Sequence, residues 1–224
     1  MISLSSINRA EALRYMGQKG KEIPPALSEV LDSCEKKLLG TIRPNYVFRV
    51  FDIERKQDGI HICSGMLVLE GKDIADHLEG CSRAVLMCAT LGADTDKLIR
   101  TEEITDISSA FVMDAMASAA IEEVCRIADE QIKQQIPGYF FTWRFSPGYG
   151  DFPISIQKEF LETLNASRLV GVCTGENNIL VPRKSVTAVA GISENTLPKK
   201  RRGCACCNMA ARCEFRKRGD HCGF

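Results

Sequence analysis

Arg144 opens a short run, Arg144-Phe145-Ser146-Pro147-Gly148-Tyr149, whose residue types suit the capture of a small charged molecule. Its guanidinium offers a planar fork of donors that matches a carboxylate. Pro147 and Gly148 fit the two central positions of a tight turn, and a type II turn demands positive φ at the second. Such a turn exposes backbone that a ligand can approach closely. Tyr149 can present a ring face to a cation or a heterocycle. A ligand carrying both a carboxylate and a cation would suit this pair. An ordinary turn beside a solvated arginine accounts for the same residues without a ligand.

A second group with chemical potential lies near the C-terminus. Cys204, Cys206, Cys207, Cys213 and Cys222 crowd into nineteen residues, with His221 beside the last. Four thiolates from Cys204, Cys207, Cys213 and Cys222 could close a zinc site or hold an iron–sulfur cluster, with Cys206 as a substitute. The second half lacks a clean C-x-x-C, so freely titrating thiols remain the competing reading. The other six cysteines, Cys34, Cys63, Cys81, Cys88, Cys125 and Cys173, are scattered in apolar surroundings. That pattern predicts small buried hydrophobes.

The chain has 224 residues, 45% hydrophobic and 26% charged, which fits a folded domain with a sizeable core. The formal net charge is zero, but residues 199–224 hold eight Lys/Arg and two Asp/Glu. That leaves 21 basic and 27 acidic side chains in residues 1–198. The expected organisation is an acidic body, 1–198, and a basic Cys-rich tail, 199–224, which meets something anionic or folds back on the body. The apolar stretch "AFVMDAMASAAI" contains an acid and is too short for a bilayer. "MISLSSINRAEALRYMGQ" has no long apolar run of the kind a secretory signal needs. A cytoplasmic protein is the expectation.

The elements that must position these residues follow from periodicity. Helices are expected at 7–18, at 24–40 with Leu27, Val30, Leu31, Cys34 and Leu38 on one face and Gly40 at its end, and from about Ala93 to Arg100. The longest helix should span 107–135, buried nearly all round in its first half. "NYVFRVFDIE", "GIHICSGMLVLEG", "RAVLMCATLG" and "YFFTWRF" read as strands, the last placing Arg144 at a strand end. "GKDIADHLEGC" reads as a short helix, "PISIQKEFLETLN" as a helix with Pro153 near its start, and "NILVPRKSVTAVAGIS" as two strand-like runs. Helices and strands without regular βαβ alternation predict an α+β fold with a largely antiparallel, twisted sheet and flanking helices.

Arg144, three residues, then Gly148-Tyr149, with Pro147, Pro153 and Lys158, resembles the S-adenosylmethionine-binding motif of the activation (reactivation) domain of cobalamin-dependent methionine synthase. "AVLMCATLGADTDKLI", "MASAAIEEVCRIADE" and "LETLNASRLVGVCTGENNILVPRKSVTAVAGIS" resemble other parts of that domain, so the likeness covers about residues 80–192. This chain departs from the motif at Gly150-Asp151-Phe152, where the family usually has a small residue and a cysteine. The resemblance implies that Arg144 holds the ligand carboxylate and that backbone from Ser146 to Gly148 bonds the amino-acid part or the adenine. It implies that Tyr149 packs near the sulfonium or the adenosine. Asp114, the only charge in "AFVMDAMASAA", is a candidate for the ammonium, or else a cap or an exposed helix-edge residue.

The family's reaction is reductive methylation of an oxidised corrinoid. No D-x-H-x-x-G cobalamin motif surrounds His61, His77 or His221, so cobalamin would arrive on a partner: a methionine synthase lacking its own activation domain, or another corrinoid protein. A separate electron donor is also implied. A non-catalytic S-adenosylmethionine-carrying docking protein is the alternative. A nucleic-acid binder using "KKRRG" and "RKR" is a third class, against which the body shows no recognition helix.

Overall fold

The structure, a computed structural model, describes residues 2–18, 23–198, 211 and 217. The chain forms two compact units. The first comprises Met1–Arg49, Leu86–Pro137 and Gln157–Ala188; the second comprises Val50–Val85, Gly138–Ile156 and the chain from Val189.

The first unit is built on helices. These are α1 (Arg9–Tyr15), α2 (Pro25–Thr41), α4 (Ala93–Thr105), α5 (Ile107–Gln135), α6 (Gln157–Leu164) and α7 (Ala166–Val170). α5 packs against α1, α2 and α4. Its sequence explains why: Val112, Met113, Met116, Ala117, Ala120 and Val124 are all buried, and the alanines let neighbouring helices approach closely. α2 contributes Leu31, Cys34 and Leu38 and runs one residue past Gly40, to Thr41. α4 extends past Arg100 to Thr105, and Lys37 on α2 pairs with its Glu102 at 2.7 Å. Glu35, although charged, is buried because it accepts from Ile7 N at 2.7 Å and pairs with Arg9, which ties the N-terminal segment to α2.

Asp106 ends α4 and caps α5. Its Oδ1 accepts from the backbone N–H groups of Ser108 and Ser109 at 3.0 and 3.2 Å, and Ser109 Oγ donates to Oδ2 at 2.6 Å. The Ser109 hydroxyl, helped by these N–H groups, holds the Asp106 carboxyl below the usual carboxylate range. A carboxyl depressed by folding stabilises above its unfolded pKa, and the contribution is lost as pH falls through the folded pKa. Asp106→Ala should therefore lower the thermal midpoint at neutral pH. The gap to the unsubstituted protein should close as pH drops below the carboxylate range, which melting curves at neutral and acidic pH would test.

The sheet has six strands: β1 (Asn45–Lys56), β2 (Gly59–Ile62), β3 (Leu67–Leu69), β4 (Arg83–Thr90), β5 (Phe140–Phe141) and β8 (Ser185–Ser193). Their order across the sheet is β3-β2-β1-β4-β8-β5. β1 with β2, β2 with β3, and β5 with β8 pair antiparallel. Bonds from Ser82 N to Ile192 O and from Leu91 N to Lys184 O give β4 and β8 the same opposed sense. β4 is buried from Ala84 to Thr90, as an unbroken apolar strand covered on both faces must be. The short strands β6 (Cys173–Thr174) and β7 (Leu180–Val181) form a separate hairpin in the first unit. The second unit also holds α3 (Lys72–His77). The architecture is the expected α+β fold with an antiparallel sheet and flanking helices.

Three expectations change. "YFFTWRF" is not one continuous strand: regular pairing stops at Phe141 and resumes as a single bridge between Phe145 and Val189. The helix after Pro153 begins as one 3-10 turn, Ile154–Ile156, before α6. Among the scattered cysteines, Cys34, Cys81, Cys88 and Cys125 are buried, and burial pushes the Cys88 thiol up to about 12. Cys63 is half-buried and Cys173 is exposed, contrary to the uniform expectation. No helix among the described residues is long and apolar enough to cross a membrane.

Candidate functional site

The segment Gly138–Ile156 belongs to the second unit and carries Arg144, Ser146, Pro147, Gly148 and Tyr149 together. β5 pairs Phe140 with Ser193 and Phe141 with Ile192. Thr142 N then donates to Gly191 O at 3.0 Å, and Phe145 and Val189 exchange two backbone bonds of 2.8 Å. Between these points Trp143 and Arg144 face a single residue, Ala190, so the strand carries a β-bulge. An extra residue breaks the alternation of faces and re-aims the side chains at the bulge. Arg144 sits there, half-buried.

The turn follows at once. Tyr149 N donates to Ser146 O at 3.2 Å, which closes a four-residue turn with Pro147 and Gly148 at its centre. Gly148 has φ 93°, the positive value its position requires. The atoms nearest a Cβ there belong to Ile154, at 3.7 Å or more, so the backbone conformation rather than crowding selects glycine. A second turn is closed by Phe152 N on Tyr149 O at 3.0 Å, and Gly148 N returns to Phe152 O at 2.8 Å. Pro147 is buried beneath the loop, while Gly148, Tyr149 and Gly150 are exposed at its crest. Tyr149 is 58% exposed.

The loop rests on rings. Phe152, 1% exposed, stacks on Phe145 with centroids 6.1 Å apart, and Phe145 stacks on His77 at 5.1 Å. His77 meets Trp143 edge-on at 4.8 Å. His77 Nε2 donates to Trp143 O at 2.8 Å, since a carbonyl can only accept, and lies 2.8 Å from Thr142 Oγ1. Asp151 caps α3, accepting from Lys72 N at 2.8 Å and Asp73 N at 2.9 Å. No local pattern in the sequence points to His77, Asp73 or Asp151, whose partners lie 65 to 79 residues away along the chain.

Asp114 lies on α5 in the first unit. Its side chain is 47% exposed and pairs with Lys184 at 2.8 Å, in keeping with the exposed helix-edge reading. Lys184 Nζ also donates to Asp114 O at 3.1 Å and Ser118 Oγ at 2.9 Å. Cys204, Cys206, Cys207, Cys213 and Cys222 lie outside the described residues. Among the described residues no group of three or more His, Cys, Asp or Glu side chains could hold a metal ion.

No protein-family model matches the sequence, and no curated protein matches it. Its fold is similar to a solved structure, that of the MetH reactivation domain bound to AdoHcy. The TM-score is 0.62 at 14% identity, over 86% of this chain and 75% of that one.

Proposed function

We propose that the protein binds S-adenosylmethionine along Arg144–Tyr149 and supports reductive methylation of a corrinoid carried by a partner protein. The observation that carries this reading is the bulge-held Arg144 followed directly by the exposed Gly148–Tyr149 turn, on a fold similar to one solved with AdoHcy. Arg144 binds the amino-acid carboxylate through its fork. The raised backbone at Gly148 lets the ligand approach without a side chain in the way. Tyr149, an exposed residue next to the turn, packs near the sulfonium or the adenosine. The bound molecules supply the chemistry: one electron from a reductant and the sulfonium methyl convert inactive cob(II)alamin to methylcobalamin, releasing S-adenosylhomocysteine. The protein's own contribution is orientation, and no side chain needs to exchange a proton. Asp114, engaged by Lys184, is not needed for this reading.

Calorimetry with S-adenosylmethionine and S-adenosylhomocysteine tests the ligand, and the absorbance of a cob(II)alamin-loaded methionine synthase lacking its activation domain, mixed with a reductant, tests the reaction. Binding of both ligands with recovery of methylcobalamin is expected. No heat at millimolar ligand overturns the reading; binding without recovery leaves a ligand-carrying docking protein.

A further inference from the structure

We infer that α3 is the positioning element of the ligand loop, with Asp151 and His77 as the positioning residues that hold Arg144 and the turn in register. The inference rests on the S-adenosylmethionine reading for its ligand, but its geometry stands within the second unit alone.

The two ends of the Arg144–Tyr149 segment are fastened to the two ends of this one helix. At the C-terminal end of α3, His77 bonds Trp143 O, touches Thr142 Oγ1, and packs its ring against Trp143 and Phe145. Trp143 and Phe145 flank Arg144 directly, so the imidazole fixes the bulge from below. At the N-terminal end, Asp151 accepts the N–H groups of Lys72 and Asp73, while Asp151 N donates back to Asp73 Oδ2 at 3.2 Å. The exchange joins the end of the turn to the start of the helix by three bonds. The approach is close enough to exclude side chains: a Cβ on Gly150, φ 57°, would run into the Asp73 carboxylate. One on Gly71, opposite it, would lie 2.7 Å from Asp151 Oδ1.

The helix is itself anchored. Arg55 on β1 donates from Nη2 to Leu78 O at 2.6 Å and Cys81 O at 2.9 Å, and Ile74 and Leu78 are fully buried. A fixed helix gripping both flanks of a six-residue segment leaves that segment little freedom to rearrange. Ligand affinity then depends on the grip, because a preorganised loop loses less entropy on binding.

Trp143, the only tryptophan, sits in the gripped segment and reports on it by fluorescence. The test uses the full chain and three proteins: unsubstituted, Asp151→Ala and Asp151→Asn. The asparagine variant keeps one acceptor oxygen for two donors, so it should fall between the others. With S-adenosylhomocysteine as probe, at temperatures well below each melting midpoint, Asp151→Ala should raise Kd by on the order of 10- to 100-fold, as misplacement of positioned groups does. Trp143 emission should shift in the ligand-free variant while far-ultraviolet circular dichroism stays native. A residue of merely structural importance would lower the melting midpoint and leave Kd and the Trp143 spectrum of the folded protein unchanged, and that result overturns the inference. If Asp151→Ala fails to fold, Asp151→Asn carries the same comparison. If the unsubstituted protein binds nothing, the ligand reading fails. The ligand-free Trp143 spectra then still decide whether Asp151 sets the loop, with unchanged spectra counting against it.

Discussion

Arg144→Ala should weaken S-adenosylmethionine binding by roughly 10- to 150-fold, the equivalent of about 1.5–3 kcal/mol for a lost hydrogen bond to a charged group. The physical basis is the unpaired ligand carboxylate. On entering the loop it loses water, and without the guanidinium it loses the charged partner assigned to it. Arg144→Lys separates charge from shape: an ammonium keeps the attraction but cannot form two parallel bonds, so its affinity should lie between. Neither change removes a backbone bond of the bulge, which is built from Thr142, Phe145, Val189 and Gly191. The fold should persist, and calorimetry on proteins with native melting curves reads the affinity directly. Unchanged affinity in Arg144→Ala would assign the carboxylate to another residue.

Deleting residues 199–224 should abolish reactivation while leaving ligand binding nearly intact. β8, the last strand among the described residues, ends at Ser193, and every residue of the Arg144–Tyr149 segment precedes the cut. We propose that the body, 1–198, folds alone and that the tail serves docking or electron delivery. The tail is basic and carries five cysteines; basic neighbours favour the thiolate form that binds metal. Metal analysis of anaerobically purified protein separates the alternatives: iron with sulfide indicates a cluster, zinc a folded basic knob. Neither metal, with all five thiols freely titrating, would reject a metal site. A truncated protein that still reactivates its partner would show the tail to be dispensable for the chemistry.

The parts of the fold that depend on local pattern were legible in the sequence. α5 spans residues 107–135 as its helical pattern implies, because a long, nearly all-apolar face has no other stable arrangement. β4 was legible for the same reason, and Gly148 because a Pro-Gly pair restricts the available turns. The features that depend on distant partners were not legible. "YFFTWRF" alternates like an unbroken strand, and only the register of β8, far along the chain, reveals the bulge. The partner of Asp114 is not legible from its apolar neighbours, because Lys184 reaches it from 70 residues away. The departure from the family motif at Gly150-Asp151 looked like loss of likeness; in three dimensions those two residues meet α3.

The bulge has a second consequence, for how copies of this chain meet one another. β5 is an outermost strand of the sheet, and an outermost strand offers unpaired backbone groups to any other extended chain. Here the regular ladder lasts only from Phe140 to Phe141 before Trp143 and Arg144 disrupt the spacing. Pro147, which has no N–H to donate, follows three residues later. A second molecule docking along this side finds too few consecutive donors and acceptors to extend the sheet. The distortion that seats Arg144 thus also guards the protein against strand-to-strand aggregation at the border where the proposed ligand loop is exposed.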